Sequence, residues 1–185
     1  MRILVASDIH GRLSRMKMLD EKIRAFQPDK IFLLGDFLYH GPRNGVPEDY
    51  DPMAVGEILK SHKDKIIAVR GNCDARIDED ILSFPLEDNR RFALGGYWFD
   101  LYHGDEFSLE NLKPEIGDIL ISGHTHIQIL EKKDGYLYLN PGSPSFPKGG
   151  NEPSYATIDG EVVTIRRLSD GSPIRSLKLD GQPSA

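Results

Sequence analysis

The order of apolar runs in the first seventy residues constrains the fold more than any other feature. Three runs of strand length, at 2–6, 30–34 and 65–69, alternate with two segments of helical period. Asp51, followed by Pro52, is typical of a capped start to the second helix. Strands joined by helical crossovers pair in parallel. The start of the chain therefore predicts a parallel βαβαβ sheet, with functional groups beyond the carboxyl ends of its strands. The first predicted helix presents an apolar face made of Leu13, Met16, Leu19, Ile23 and Phe26.

The second half of the chain changes character, because strand-like runs follow one another through turns. The dipeptides Gly95-Gly96, Asp134-Gly135 and Asp159-Gly160 each lie between two such runs, which is a hairpin signal. We therefore expect a second sheet that is antiparallel or mixed. The polar tail 180–185 is expected to fray. The predicted strands of this half span 91–94, 97–102, 119–122, 128–132, 136–140, 155–159, 162–168 and 174–179.

Length and composition favour one domain over residues 1–185. A chain of 185 residues that is 39% hydrophobic suits one ordinary core. It shows neither a signal-peptide pattern nor a run of about 18 apolar residues, so we expect a cytoplasmic protein and no membrane insertion. One cysteine can form no internal disulfide. The net charge of −6 argues against a stable nucleic-acid complex.

Polar residues follow five of the predicted strands at the point where each strand ends. The segments read SDIHG, GDF, GNCD, YHGD and SGHTH, and each alone is ordinary turn chemistry. Together they supply carboxylate, amide and imidazole groups, which suit a divalent transition metal, with glycines that allow backbones to approach one another. Seven side chains are too many for one ion. They are Asp8, His10, Asp36, Asn72, His103, His124 and His126.

In this order, the motifs D-x-H, G-D, G-N-x-D, H-G and G-H-T-H resemble the calcineurin-like metallophosphoesterase superfamily. The segments GDFLYHGPRN, GNCD and NPGSPSFPKGGN further resemble the bacterial YfcE-type phosphodiesterases across nearly the whole chain. The resemblance implies an α/β (α+β) four-layer αββα sandwich, in which two mixed β-sheets are flanked by helices. It also implies a dinuclear metal site at one rim.

The resemblance implies that the seven residues are divided between two divalent metal ions. Resemblance to the bacterial subfamily favours Mn²⁺, and Zn, Fe or Ni also suit nitrogen and oxygen ligands. The implied function is hydrolysis of a small phosphodiester by in-line attack of a hydroxide bound to the dinuclear centre. Asp36 would bridge both ions. One ion would be held by Asp8, His10 and His126, and the other by Asn72, His103 and His124.

Cys73 stands where much of the superfamily has a histidine that assists the leaving group. A cysteine-phosphatase loop requires arginine six positions later, and that position is Glu79. As a metal ligand, Cys73 would overfill a place that Asn72 already occupies. We favour a small apolar residue on the pocket floor. A thiol donates hydrogen bonds poorly, so poor leaving groups would receive weaker assistance.

Two further sets of residues complete the predicted site. Asp36, Asn72, Cys73 and Asp74 form the predicted catalytic set. Because Asp74 lacks the histidine that it would orient, we expect it to bind Arg70 or Arg76. Substrate contact is expected from His40, Arg43 and Asn44, because a planar guanidinium suits a phosphate; the alternative is a solvated turn at Gly41-Pro42. Lys148 is a further candidate.

Two other functions remain open from the sequence. A non-catalytic metal-binding scaffold is known in this fold from the retromer subunit, although seven competent ligands favour catalysis. A monoesterase acting on phosphoproteins is disfavoured by the missing histidine and by the short chain. Some family members form homo-oligomers, and no residue decides that property here.

Overall fold

The computed structural model of the protein describes residues 1–106 and 114–179. The predicted tail 180–185 lies outside the described residues. The helices are α1 (Leu13–Phe26), α2 (Pro52–Lys60) and α3 (Asp78–Leu82). The strands are β1 (Arg2–Ala6), β2 (Lys30–Leu33), β3 (Ile66–Ala68), β4 (Asn89–Leu94), β5 (Tyr97–Tyr102), β6 (Ile119–Ile121), β7 (Gln128–Lys133), β8 (Tyr136–Pro141), β9 (Ser154–Asp159), β10 (Val162–Arg167) and β11 (Pro173–Lys178).

The strands form two mixed sheets, as predicted. The six-stranded sheet has the order β11-β10-β9-β1-β2-β3, in which β1, β2 and β3 are parallel and the other pairs are antiparallel. The five-stranded sheet has the order β4-β5-β6-β8-β7. In it, β6 pairs in parallel with β5 and β8. All three predicted hairpins are confirmed, at β4–β5, β7–β8 and β9–β10.

The main core lies between the two sheets. Phe32 of β2 meets Phe99 of β5 edge to face, with ring centroids 5.3 Å apart, and both side chains are fully buried. Ile3 and Ile121 belong to the same buried cluster. Burying each such side chain stabilises the fold by roughly 1.5–3 kcal/mol. This packing holds the strand ends of both sheets in a fixed relation at one rim.

Helices of the described residues pack on the outer face of the six-stranded sheet. Met16, Leu19 and Ile23 bury the predicted face of α1. The Asp51 side chain accepts a hydrogen bond from the Ala54 N–H, which confirms the predicted cap of α2. Helix α3 was not predicted, since five residues are too few to show a helical period. In the described part of the chain, no helix has the length and apolar character needed to cross a membrane.

Candidate metal centre

Five strand ends converge at one rim of the sandwich. The loops after β1 and β2 run side by side, because the His10 N–H donates to the Asp36 carbonyl at 2.9 Å. The loops after β5 and β6 are joined by a bond from the Gly123 N–H to the His103 carbonyl, at 2.8 Å. The His124 N–H donates to Asp8 Oδ2 at 3.0 Å and links the two sheets. The predicted polar strand ends therefore meet.

Asp8, His10 and His126 form the first ligand group, and all three are buried. His126 Nε2 lies 3.2 Å from Asp8 Oδ1 and 3.3 Å from His10 Nε2. Asp8 Oδ1 is fully buried and has no hydrogen-bond partner among the residues that the structure describes. An unpaired buried carboxylate oxygen is costly. A cation within this group would supply the missing partner, so the residues fit a metal ion.

Asn72, His103 and His124, the predicted second ligand group, also lie close together. Asn72 Oδ1 lies 2.9 Å from His124 Nδ1 and 3.2 Å from His103 Nε2, and these two ring nitrogens are 3.3 Å apart. One amide oxygen and two imidazole nitrogens thus converge on one point. This donor set suits a divalent transition metal.

Asp36 lies between the two groups and is buried. Its Oδ2 is 3.6 Å from His10 Nε2 in the first group, and its Oδ1 is 3.6 Å from His103 Nε2 in the second. The Cys73 N–H donates to Oδ1 at 2.9 Å and fixes the carboxylate plane. The geometry supports the predicted bridging role.

Main-chain carbonyls orient three of the four histidines among the candidate ligands. A carbonyl beside Nδ1 selects the tautomer that carries the proton on Nδ1 and leaves the Nε2 lone pair free toward the centre. The three contacts are His10 Nδ1 with Tyr39 O at 2.8 Å, His103 Nδ1 with Leu34 O at 2.5 Å, and His126 Nδ1 with Phe146 O at 2.6 Å.

Electrostatics favour the ligand forms of several groups. Burial lowers the pKa of His10, and burial together with the charge of His103 lowers the pKa of His124, so both rings favour the neutral state. Burial opposes ionisation of Asp8, but the neighbouring side chain of His126 and the charge of His103 lower its pKa. His103 differs from these two histidines. Burial favours its neutral form, but the carboxylates of Asp8 and Asp36 outweigh burial and raise its pKa.

The backbone at the rim adopts left-handed conformations that residues other than glycine seldom adopt. Such a conformation costs of order 1–3 kcal/mol and persists where the surrounding structure enforces it. Aspartate and histidine tolerate it better than most residues. The sequence gives no direct sign of it. Five of the seven candidate ligands have positive φ: Asp8 (57°), His10 (53°), Asp36 (58°), His124 (62°) and His126 (59°).

Two glycines allow the loops to approach this closely. A Cβ on Gly71 would lie 2.2 Å from Asp36 Oδ1, and a Cβ on Gly123 would lie 1.9 Å from Ser7 Oγ. Both distances are far shorter than a van der Waals contact. Glycine at these two positions is therefore needed for Asp36 and Asp8 to occupy their places.

Cys73 lines the cleft above the centre and is half-buried. Its sulfur lies within 4.8 Å of ligand atoms of His10 and Asp36. Burial, followed by the nearby carboxylate of Asp36, raises the pKa of Cys73 to about 12 in the protein without bound ions. A protonated thiol is compatible with the predicted small apolar residue on the pocket floor, although the side chain is only half-buried.

Asp74 has a different role from the one predicted. Its carboxylate accepts hydrogen bonds from the N–H groups of Asp36, Phe37 and Gly71, each at 2.8 Å. Burial and the charge of Asp36 raise the pKa of Asp74 to about 7, against the effect of these bonds. The expectation that it binds Arg70 or Arg76 is wrong: among the described residues neither arginine pairs with Asp74, and Arg70 pairs instead with Glu79 and Asp88 outside the centre. Asp74 ties the β2 loop to the Gly71 loop.

The structure separates the predicted substrate residues into two groups. Arg43 and Asn44 line the cleft, together with Lys148 from the opposite loop. The Asn44 side chain donates to the His40 carbonyl at 2.9 Å and stabilises this loop. His40 is not among the cleft-lining residues, and its ring packs against Tyr39 and Tyr50. The geometry therefore supports Arg43 and Asn44, and gives no support to a substrate role for His40.

Sequence reasoning missed several buried polar residues behind the ligands. Asn140, Ser143 and Ser145 are almost fully buried and make hydrogen bonds to the ligand loops. The available signal was the unusual run of polar residues directly after an apolar strand in NPGSPS.

Comparison with known proteins identifies the family. Residues 1–162 match the model of the calcineurin-like phosphoesterase superfamily domain. The chain is 39% identical to phosphodiesterase YfcE of Escherichia coli K12 over 183 residues, which cover 97% of this chain and 99% of that protein. It is 27% identical to the probable metallophosphoesterase YsnB of Bacillus subtilis, over 90% of this chain and 89% of that protein.

Solved structures agree with these matches. The structure of E. coli YfcE, a phosphoesterase, superposes with a TM-score of 0.93 over 97% of this chain and 100% of that one, at 39% identity. Vps29 of Entamoeba histolytica shares the fold, with a TM-score of 0.65 and 20% identity over 97% of this chain and 100% of that one. The chain therefore belongs to the calcineurin-like phosphoesterase superfamily and is a phosphoesterase of the YfcE family.

Proposed function

We propose that the protein hydrolyses small phosphodiesters with the help of two divalent cations, most suitably Mn²⁺. The observation that carries this proposal is the position of Asp36. Its two oxygens face two separate ligand groups, each at 3.6 Å from a histidine nitrogen. A single-ion site would need no second group of three donors on the far side of the bridging carboxylate.

The ligand set suits an anionic substrate. When bound, two such cations would lower the pKa of a coordinated water molecule and neutralise charge on a phosphoryl group. Asp8 and Asp36 are the only charged members of the proposed set of seven. The neutral imidazoles and the Asn72 amide add no negative charge. A net positive charge therefore remains to attract a phosphodiester.

The cleft walls would orient the substrate for in-line attack by hydroxide on phosphorus, with departure of the alcohol on the opposite side. Arg43 lines the cleft and would contact the non-bridging oxygens, since its guanidinium offers parallel N–H donors. Asn44 holds the Arg43 loop through the His40 carbonyl. Lys148 lines the same cleft from the other side. These residues position the ester, while the ligand groups hold the attacking side.

Cys73 explains the proposed preference for diesters and activated esters. It lines the cleft next to Asn72. The family resemblance implies an imidazole at this position, which would protonate a departing alcohol. A neutral thiol transfers a proton to an alkoxide poorly. Esters whose alcohols leave without protonation are therefore the proposed substrates.

The test is hydrolysis of bis-p-nitrophenyl phosphate by chelator-stripped protein, before and after addition of Mn²⁺. We expect activity only with metal, and a loss of more than about 100-fold in Asp36→Asn. Asp159→Asn is the matched control, because Asp159 is an exposed carboxylate far along β9 and should leave activity unchanged. If the protein binds two Mn²⁺ ions and turns over no activated ester, the proposed reaction is wrong and a metal-binding scaffold replaces it.

A further inference from the structure

The segment 140–146, of sequence NPGSPSF, lies behind the metal centre and has no role in the chemistry proposed above. We propose that this segment, here called the brace, is a positioning element that selectively maintains the site of the first ion. The inference rests on the proposed two-ion function, because it concerns how the two sites differ. It assigns a purpose to buried polar residues that contact no substrate.

The brace holds the β1 loop through two serine side chains. Ser143 Oγ donates to the Asp8 carbonyl at 2.8 Å, and Ser145 Oγ donates to the Ile9 carbonyl at 2.6 Å. Both serines are at most 4% exposed. These bonds fix the peptide units on each side of Ile9, between the ligands Asp8 and His10.

The brace also holds the loop that follows β6. The Asn140 side chain donates to the Gly123 carbonyl at 2.7 Å and to Thr125 Oγ1 at 3.2 Å. The Phe146 carbonyl contacts His126 Nδ1 at 2.6 Å and orients that ring. One short segment therefore fixes both loops that supply the first ligand group.

The brace is itself rigid. Ser143 Oγ accepts hydrogen bonds from the N–H groups of Ser145 and Phe146, at 3.0 and 2.9 Å. Asn140 Oδ1 accepts one from the Gly142 N–H at 2.9 Å. Pro141 and Pro144 restrict the backbone further and reduce the entropy lost on folding. A rigid element of this kind can enforce strained conformations in its neighbours.

The two ligand groups differ in how much they need such enforcement. Asp8, His10 and His126 all have positive φ, and the brace bonds to each of them or to an adjacent residue. In the second group, only His124 has a positive φ, and the brace reaches its loop through the bond from Asn140 to the Gly123 carbonyl; Asn72 and His103 do not have positive φ. The His103 ring is oriented by a carbonyl of the β2 end instead of by the brace. Loss of the two serine hydroxyls, which donate only to the β1 loop, should therefore release Asp8 and His10 and leave the second group in place.

The experiment compares Mn²⁺ binding to the full chain and to the double variant Ser143→Ala/Ser145→Ala. Isothermal titration calorimetry, with bound ions counted by electron paramagnetic resonance, measures the two dissociation constants without any turnover. We expect one dissociation constant to rise by about 10–100-fold, as is typical for lost support of metal ligands. The other should change by less than about threefold. Ser145→Ala alone provides a milder variant should the double variant fold poorly.

Thr164→Val is the matched control. Thr164 is a buried hydroxyl residue on β10 that bonds Ser176 at 3.0 Å, away from the ligand loops. It should lower the free energy of unfolding and leave both dissociation constants unchanged. If the serine variants weaken both ions equally, or neither, the brace has no selective role and the inference is refuted. If the wild-type chain binds fewer than two ions, the proposed function itself fails.

Discussion

Replacing Gly123 by alanine should disturb both the stability of the protein and its metal site, through one identifiable contact. The added Cβ would lie 1.9 Å from Ser7 Oγ, 2.9 Å from Ser7 Cβ and 2.9 Å from Asp8 Oδ2. Rotation of the Ser7 side chain relieves only the first contact. The other two require movement of the β1 backbone or of the Asp8 carboxylate, which is a proposed ligand.

The magnitude follows from these contacts. Overpacking of a dense interior typically costs about 1–3 kcal/mol. Turning Ser7 Oγ away also breaks its hydrogen bond to the Leu34 carbonyl, which contributes about 0.5–1.5 kcal/mol. We expect Gly123→Ala to lower the free energy of unfolding by roughly 2–4 kcal/mol, measured by urea denaturation of metal-free protein. Binding of Mn²⁺ should weaken in the same variant, measured by calorimetry.

A double-mutant cycle separates this mechanism from general damage. Ser7→Ala alone should cost about 1 kcal/mol for the lost hydrogen bond. In Ser7→Ala/Gly123→Ala the closest contact is absent, so the double variant should be more stable than the sum of the single effects predicts. Gly160→Ala is the control, since no atom of the described part of the chain lies within 4 Å of the added Cβ and only the positive φ of 59° adds strain. Strict additivity, or a Gly123→Ala effect below about 0.5 kcal/mol, would refute the reasoning.

Three further predictions concern other parts of the molecule. Cys73→His should raise kcat/KM for diesters with poor leaving groups by at least about tenfold, because an imidazole can protonate the alcohol; a series of leaving groups should show a shallower dependence on alcohol pKa. Arg43→Gln should raise KM for a diester about tenfold with a smaller change in kcat, measured by steady-state kinetics. Burial opposes ionisation of Asp20, but hydrogen bonds from Arg24 and His62 lower its pKa. Its contribution to stability is therefore present above pH 4 and lost as the pH falls through the lowered value, so the deficit of Asp20→Asn in urea denaturation should shrink on acidification. A deficit that stays constant with pH would contradict this assignment.

Local patterns predicted much of the fold, because they report on neighbours along the chain. The parallel β1–β2–β3 unit and the three glycine-containing hairpins follow from periods and turn residues within a few positions. The strand that pairs with the other edge of β1 cannot be predicted from such local patterns. Strand β9 pairs there in antiparallel fashion, and only the packing of the whole core decides that choice.

The candidate site divides in the same way. Polar residues at strand ends identified the seven proposed ligands, because the carboxyl ends of strands meet at one rim. The partners of Asp74 could not be predicted, since they are main-chain N–H groups whose positions depend on the loop conformation. The left-handed backbone at Asp8 and His126 could not be predicted for the same reason.

The position of β1 between β2 and β9 also sets the order in which the site can assemble. Ile3 pairs with Ile158, so the first strand of the chain completes its hydrogen bonding only with a strand near the other end. Closing so long a loop is a late and slow event for a chain leaving the ribosome. We therefore expect metal binding to follow the folding of a nascent chain and not to begin it. The ions are expected to stabilise a sandwich that is already complete, and chelation during synthesis should reduce bound metal without preventing the fold.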